Sequence, residues 1–268
     1  MILFDTHCHL DDASFDADRP QVLARARAAG VGPILIPATA AEGWPGLERL
    51  CRGEEQLYPA LGIHPLYIAG HGPEHLLALE QRLAAGAACA VGECGLDAFR
   101  EHPDLALQRQ IFDAQLALAA HYQLPVIVHA RRTVEEALLM VRRYPGLRGV
   151  FHSFSGSYQQ ATRLLELGWR VSFGGPLTYS RATRLRQIAA RLPLEALLLE
   201  SDAPDQPLAS HRGMRNEPAS LSLLLESLCH LRSESAAEIA AATTANGYAL
   251  FSRCLPQPAE AAGGGERA

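Results

Sequence analysis

Short apolar runs rich in valine, isoleucine and leucine recur along the chain, and stretches of mixed polarity separate them. Runs of this kind are typical of strands in a parallel sheet that is covered by helices on both faces. We therefore predict eight strands, which lie near residues 2–6, 33–37, 57–61, 88–92, 125–128, 149–151, 170–173 and 197–199.

The segments between these strands carry apolar residues at spacings of three and four, which predicts amphipathic helices. Three such stripes consist of Leu107, Ile111, Ala114 and Leu118, of Val134, Ala137, Leu138 and Val141, and of Leu221, Leu224, Leu225 and Leu228. Ser235 and Glu238 have the spacing of a capping box, so they predict the start of a last helix.

Eight strands that alternate with helices predict an α/β fold of the (β/α)8 TIM barrel type. An open doubly wound sheet is the alternative, but no Gly-x-Gly-x-x-Gly fingerprint follows the first strand. We predict a single barrel domain over residues 1–255. Residues 256–268 have few bulky apolar side chains, so we predict a disordered tail there.

The charged residues narrow the classes of function that the chain can have. The formal net charge is −5, which disfavours binding of nucleic acid through a broad basic surface. All 24 basic residues are arginines, because the sequence contains no lysine. Schiff-base chemistry, a Walker-type phosphate lysine and a metal site bridged by a carboxylated lysine are therefore excluded.

The sequence has neither a secretory signal pattern in its first residues nor an apolar run long enough to cross a bilayer. Its six cysteines lack Cys-x-x-Cys spacing, so we expect them to be reduced. These features favour a cytoplasmic protein that does not associate with membranes. No segment indicates an obligate protein partner.

Side chains that can bind metals or move protons follow most of the predicted strands. They are His7 and His9 after the first strand, His64 after the third, Glu93 after the fourth, His129 after the fifth, His152 after the sixth and Asp202 after the eighth. Each of them alone has an ordinary explanation as a turn residue, a core histidine or a helix cap. Because active sites of these barrels lie at the C-terminal ends of the strands, the joint pattern indicates a site there.

The types of these side chains indicate metal binding, since imidazole and carboxylate groups are common ligands of divalent ions. Without His64, four histidines and two carboxylates remain, which is more than one tetrahedral ion needs, so we predict two divalent ions that share a carboxylate. In the absence of lysine, Glu93 is the predicted bridging ligand. Sites with two metals activate water and stabilise displacement at phosphorus, so the pattern predicts a hydrolase.

These motifs resemble those of the TatD family of metal-dependent deoxyribonucleases, from Phe4 to about Phe251. The matching segments are F-D-T-H-C-H at 4–9, G-I-H-P at 62–65, G-E-C-G-L-D at 92–97, V-H at 128–129, F-H-S-F-S-G at 151–156, L-E-S-D-A-P at 199–204, R-G at 212–213 and N-E-P at 216–218. The set is specific in its order and its spacing.

The resemblance implies a barrel with two divalent metal ions, which would be zinc, magnesium or manganese. It implies hydrolysis of phosphodiester bonds in DNA, from the 3′ end of single strands. Asp202 would also accept the proton of the attacking water, Glu93 would be the second catalytic carboxylate, and His64 would face the substrate. The implied metal ligands are His7, His9, Glu93, His129, His152 and Asp202.

Because the chain has a net negative charge, it can attract a polyanionic nucleic acid only through local positive groups. Arg212 lies beyond the Asp202 motif, and it is either a bidentate ligand for one phosphate or an ordinary surface arginine. The sequence also departs from the family at two positions, where many relatives have an aromatic residue and this chain has Ala98 and Asp205. We expect the stacking of bases or the range of substrates to differ accordingly.

Three other functions fit parts of the pattern. An amidohydrolase that acts on an amide, ester or lactone also begins with His-x-His, but many such enzymes need the carboxylated lysine. A phosphoesterase of the PHP type would be expected to have an Asp-x-His near its C-terminus, and this chain has none there. A metal-bound binding module without catalysis is less compatible with the retention of all six implied ligands.

Overall fold

A computed structural model describes residues 1–99 and 101–252 of the chain. Eight parallel strands form one sheet in the order of the sequence, and helices cover its outer face. The strands are β1 (Leu3–Asp5), β2 (Val31–Pro37), β3 (Leu57–Leu61), β4 (Ala90–Asp97), β5 (Val126–Arg131), β6 (Gly149–Phe151), β7 (Arg170–Phe173) and β8 (Leu197–Leu199). The predicted barrel is confirmed.

Nine α-helices lie among the described residues: α1 (Arg19–Ala28), α2 (Trp44–Gly53), α3 (Pro73–Ala84), α4 (Leu105–Tyr122), α5 (Val134–Val141), α6 (Tyr158–Glu166), α7 (Thr183–Arg191), α8 (Leu221–Cys229) and α9 (Ala236–Leu250). Short 3-10 helices span Ala13–Phe15, Ala41–Gly43, Gly175–Thr178, Leu194–Ala196, Ala209–His211 and Pro218–Ser220. The predicted stripes of α5 and α8 are buried, and Ser235 and Glu238 cap α9 reciprocally.

Strand β4 is longer than predicted, and it therefore contains Glu93. Its second half pairs with β5 in a register that sets Gly95 opposite His129. A β-carbon at Gly95 would lie 2.0 Å from the His129 carbonyl oxygen, so only glycine allows the two strands to approach here. This pairing continues the strands to Asp97 and Arg131, and it brings the Glu93 and His129 segments side by side.

Hydrogen bonds close the barrel between β1 and β8. The backbone N–H and the hydroxyl of Thr6 both donate to the Leu199 carbonyl oxygen, at 3.1 and 3.0 Å. The Asp5 carboxylate accepts a hydrogen bond from the Ser201 backbone N–H at 2.9 Å. Farther along, the Asp202 N–H donates to the His7 carbonyl oxygen at 2.8 Å. The segments that carry His7 and Asp202 are therefore held directly against each other.

The interior of the barrel is a small core separate from the large core beneath the helices. Seven strands contribute one residue each, namely Phe4, Leu35, Ala60, Ala90, Ile127, Val150 and Leu198. Leu250 and Phe251, from the end of α9, belong to the same cluster. Their burial means that the interior is filled with side chains and is not a pore.

No helix within residues 1–99 and 101–252 is long and apolar enough to span a membrane. The predicted end of the barrel domain at residue 255 and the predicted disordered tail at 256–268 lie outside the described residues.

Gly149 in β6 offers a test of how tightly the strands pack. A β-carbon there would lie 2.3 Å from the Val126 carbonyl oxygen and 2.4 Å from the Trp169 ring. We expect Gly149→Ala to lower the free energy of unfolding by about 1–3 kcal/mol, because neither neighbour can move freely. Gly53→Ala, where nothing lies within 4 Å, is the control for denaturant unfolding. Equal stability of the two variants would contradict the packing.

Candidate metal centre

The candidate site is built around the carboxylate of Glu93, which is 2% exposed. Its two oxygens face different groups of ligands. Oε2 faces His7 and His9, whereas Oε1 faces His129 and His152. The six predicted ligands thus come together at the C-terminal ends of the strands, and a single carboxylate lies between the two groups.

The first group joins the β1 and β8 segments. His7 Nε2 lies 3.2 Å from Glu93 Oε2 and 3.4 Å from Asp202 Oδ1. His9 Nε2 lies 3.4 Å from Glu93 Oε2, 3.7 Å from Asp202 Oδ1 and 3.2 Å from His7 Nε2. Ligands of a tetrahedral ion with bonds of about 2.0–2.1 Å are separated by roughly 3.3–3.4 Å. The four donor atoms therefore have the spacing that such an ion requires.

The second group joins β5 and β6. Both His129 Nδ1 and His152 Nε2 lie 2.8 Å from Glu93 Oε1, and they lie 3.1 Å from each other. The three donor atoms of this group lie within hydrogen-bond distance of one another, so an ion here would require them to separate by a few tenths of an ångström. A further ligand position would remain for water or substrate, which is the usual arrangement of a catalytic metal ion.

The hydrogen bonds of the His9 and His129 rings indicate which ring nitrogen carries the lone pair that faces the site. His9 Nδ1 lies 3.1 Å from the Pro37 carbonyl oxygen, and His129 Nε2 lies 2.9 Å from Asp97 Oδ2. Because each of these acceptors requires an N–H, the other nitrogen of the neutral ring carries the lone pair. In both rings that nitrogen is the one that faces Glu93, which suits a metal ligand.

His64 has the opposite orientation. Its Nδ1 accepts a hydrogen bond from the Leu66 backbone N–H at 3.1 Å, so the neutral ring carries its proton on Nε2. Nε2 lies 3.2 Å from Glu93 Oε1. His64 thus presents a donor to the site, in agreement with a role towards the substrate and unlike the predicted ligands.

Two buried carboxylates that sequence reasoning did not assign lie beside candidate ligand histidines. Asp97 contacts His129, as described above. Glu200 is fully buried, accepts hydrogen bonds from the Ser153 N–H at 2.6 Å and the Ser172 hydroxyl at 2.5 Å, and lies 3.8 Å from His152 Nδ1. Both residues stand inside the matching motifs, but their partners lie on other strands and are invisible in the sequence.

Helix α4 supplies a second support through two buried glutamines. Gln115 accepts from the Ile63 N–H at 2.7 Å and donates to the Ile63 carbonyl oxygen at 3.1 Å. Gln108 holds Asp97 in the same way, at 2.7 and 3.0 Å. The predicted α4 stripe of Leu107, Ile111, Ala114 and Leu118 is therefore only partly right. Among these four only Ile111 is fully buried, because the glutamines share the inner face.

Charges at the site stabilise one another. Burial acts to raise the pKa of Glu93, but His152, His64 and His7 hold it well below its ordinary range. Burial acts to lower the pKa of His9, but Glu93 and Asp202 raise it to about 9. A proton on His9 therefore competes with a metal ion at neutral pH. Metal binding must displace this proton, so metal affinity should rise with pH until the pKa of His9 is passed.

Asp202 differs from Glu93 in its environment. Burial raises its pKa to about 7, against the lowering effect of His152 and His9. Its Oδ2 accepts a hydrogen bond from the Gln206 side chain. The Gln206 amide also donates to the Ser153 hydroxyl at 2.9 Å. A carboxylate with a pKa near neutrality is suited to accept and return a proton.

The site opens into a cavity of about 720 Å³. His9, His64, Glu93, His129, His152 and Asp202 line it, together with Tyr67, Arg131, Asp11, Asp12 and Asp205 among others. His7 lies behind its wall and is fully buried. Arg212 is exposed and is not among the described residues that line this cavity, so its contact with a phosphate stays a prediction.

A second cluster of possible metal ligands, Glu42, His71 and His75, is arranged differently. His71 Nε2 accepts a hydrogen bond from the Ala41 N–H at 3.1 Å, and His75 Nδ1 accepts one from the Gly72 N–H at 3.1 Å. These lone pairs are already used by the backbone. The cluster therefore lacks the orientation found around Glu93.

A (β/α)8 barrel with histidines and carboxylates gathered at its strand ends defines the class of metal-dependent hydrolases. Comparison with known proteins identifies the family within this class. The chain belongs to the family of TatD related DNases, whose model matches residues 4–252.

Relatives of the chain support this assignment. It is 45% identical over 250 residues to YjjV of Escherichia coli K12, named an uncharacterized metal-dependent hydrolase, with coverage of 92% and 96% of the two chains. The crystal structure of YjjV superposes with a TM-score of 0.90 at 43% identity and covers 95% and 98% of the two chains. The 3′-5′ ssDNA/RNA exonuclease TatD of Citrobacter rodentium is 33% identical over 260 residues, with coverage of 93% and 97%.

The contact between Asp97 and His129 can be tested through metal affinity. We expect Asp97→Asn to weaken the binding of one metal ion by about 10–100-fold, because the variant no longer fixes the ring with a charged acceptor. Competition with a chromogenic chelator measures this affinity. Asp113→Asn is the matched control, because this carboxylate of α4 accepts hydrogen bonds from Arg143 and Tyr144 and is not among the described residues that line the cavity. An unchanged affinity in Asp97→Asn would show that the contact does not support a ligand.

Proposed function

We propose that the chain is a nuclease that removes nucleotides from the 3′ ends of single-stranded DNA and uses two divalent metal ions. Glu93 would bridge the ions, with His7, His9 and Asp202 on one side and His129 and His152 on the other. The observation that carries this proposal is the division of the Glu93 oxygens between two groups of nitrogen ligands.

Divalent ions at such a centre lower the pKa of a water molecule and neutralise charge on a phosphate. Asp202 accepts the proton when water attacks phosphorus, and its raised pKa suits this role. The P–O bond to the leaving oxygen then breaks, and Asp202 returns the proton to that oxygen. His64 donates a hydrogen bond from Nε2 to a phosphate oxygen. Glu93 stays ionised throughout, since its pKa is held low.

The choice of substrate rests on the family and on one relative, whose printed name specifies single-stranded DNA and RNA. The metal centre lies at the base of a cavity and not on an open face. A flexible strand end reaches such a site more easily than the middle of a stiff duplex. An amide, ester or lactone substrate is the competing possibility, and the assay below separates the two.

A single oligonucleotide in linear and circular form tests the proposal. We expect metal-loaded protein to shorten the linear form from its 3′ end and to leave the circle intact. Gel analysis of strands labelled at the 5′ end or the 3′ end follows the direction. A chromogenic phosphodiester and a chromogenic carboxylic ester, each with and without metal, identify the bond that is cleaved.

Asp202→Asn is the informative variant, because it keeps the size of the side chain but cannot accept the proton. We expect turnover to fall by about 10²–10⁴-fold, the usual range for loss of a general base. Metal content should fall less than in the double variant His7→Ala/His9→Ala. Cleavage of the ester alone would refute the proposed nuclease activity. Near-normal turnover of Asp202→Asn would refute the role of Asp202 as the proton acceptor.

A further inference from the structure

The mouth of the cavity carries charges of opposite sign on opposite sides. Asp11 and Asp12 follow β1, and Asp205 follows β8, so these carboxylates share one side. Arg131 ends β5 and Tyr67 follows β3. Because the eight strands follow one another around the barrel, the β3–β5 side lies across the mouth from the β8–β1 side.

The β3–β5 side also carries aromatic rings. Phe99 is 47% exposed and Tyr67 is 50% exposed, so both rings are accessible from solvent. The Arg131 guanidinium carbon lies 3.5 Å from the centre of the Phe99 ring, and that of Arg132 lies 4.7 Å from it. We call Tyr67, Phe99, Arg131 and Arg132 the cationic rim.

The cationic rim is firmly connected to the metal centre. Phe99 donates its backbone N–H to Asp97 Oδ1 at 2.7 Å, while Asp97 Oδ2 contacts His129. Arg131 follows His129 by two residues in β5, and its carbonyl oxygen accepts a hydrogen bond from the Ala98 N–H at 3.0 Å. The same carboxylate therefore fixes both a metal ligand and the start of the loop that presents Phe99.

We infer that a single-stranded polynucleotide leaves the metal centre across the cationic rim, with a phosphate on Arg131 and a base stacked at Phe99 or Tyr67. Arginine binds phosphate well, and an aromatic ring stacks on any base. The opposite rim of Asp11, Asp12 and Asp205 repels phosphates, so the strand extends in one direction only. The terminal nucleotide lies on the acidic side. This inference rests on the proposed function and explains why an end would be preferred.

Ala98, the first residue after β4, has no ring, but Phe99 is the next residue along the chain and lies beside the guanidinium of Arg131. Phe99 therefore offers a stacking surface on this side of the cavity, whereas Asp205 contributes repulsion on the other.

The test uses Arg131→Gln and Phe99→Ala, with Arg142→Gln as the control. Arg142 is exposed and follows the last residue of α5. It is not among the described residues that line the cavity. Binding of a fluorescent single-stranded hexanucleotide is measured by anisotropy in an Asp202→Asn background, so that cleavage does not interfere. Hydrolysis of a small chromogenic phosphodiester is measured in the background that retains Asp202.

We expect Arg131→Gln and Phe99→Ala each to weaken binding of the hexanucleotide about tenfold, since a stacked base or a charged phosphate contact has roughly this effect. Arg131→Gln should also reduce the log–log salt slope by about 0.7, the value for one phosphate of a single strand. Both variants should lose less activity on the small phosphodiester than affinity for the hexanucleotide, because only the hexanucleotide is long enough to extend from the metal centre across the whole rim. Asp205→Asn should strengthen binding about twofold through loss of repulsion.

Failure of this inference and failure of the proposed function give different results. If Arg131→Gln binds the hexanucleotide as tightly as Arg142→Gln does, or if the Asp202→Asn background does not bind it at all, the inference is overturned. Equal losses on the small phosphodiester and on binding would overturn it as well, because they indicate damage to the metal centre. If binding responds as expected but no oligonucleotide is cleaved, the proposed nuclease activity is wrong. The inference that a single strand binds across the cationic rim is then kept.

Discussion

The structure depends on the burial of the Glu93 carboxylate among histidines. A carboxylate removed from water is costly unless cations or hydrogen-bond donors compensate its charge. His152, His64 and His7 supply this compensation in the metal-free protein and hold the pKa of Glu93 well below its ordinary value, although burial opposes them. Metal ions would supply it more strongly, which makes the centre a place where protons and metal ions compete.

Hydrogen bonds within the fold hold the backbone segments of this centre in place. The β1 and β8 segments are bound to each other by backbone hydrogen bonds at the level of the ligands, so His7 and Asp202 move together. On the other side, Gln108 and Gln115 of α4 bond to both backbone groups, the N–H and the carbonyl, of Asp97 and Ile63 respectively. Ligands held on strands in this way keep their spacing before any metal arrives.

The sequence was sufficient to predict the barrel and the gathering of the ligand side chains. Strand ends in a (β/α)8 barrel share one face, so residues such as His7 and Asp202 meet although they are distant in the chain. Family resemblance added a predicted role for His64 towards the substrate, and the hydrogen bond from the Leu66 N–H leaves His64 Nε2 as a donor.

The supporting residues could not be predicted, because their function depends on contacts between strands. Asp97 is indistinguishable from a turn carboxylate until its position beside the His129 ring is known. Gln108 and Gln115 look like solvent-facing residues of an amphipathic helix, yet they are buried and satisfied by backbone groups. The length of β4 was underestimated for a similar reason, since Gly92 and Gly95 interrupt an apolar run but allow close pairing with β5.

Electron paramagnetic resonance of the manganese-loaded protein tests the proposal that Glu93 would bridge two divalent ions. Two ions that share a carboxylate lie about 3.5–4 Å apart and couple their electron spins. Metal-free protein titrated with Mn²⁺ should therefore develop a spin-coupled spectrum that is complete near two equivalents. In Glu93→Gln this spectrum should be lost. A spectrum of isolated ions at every stage of the titration would contradict the account.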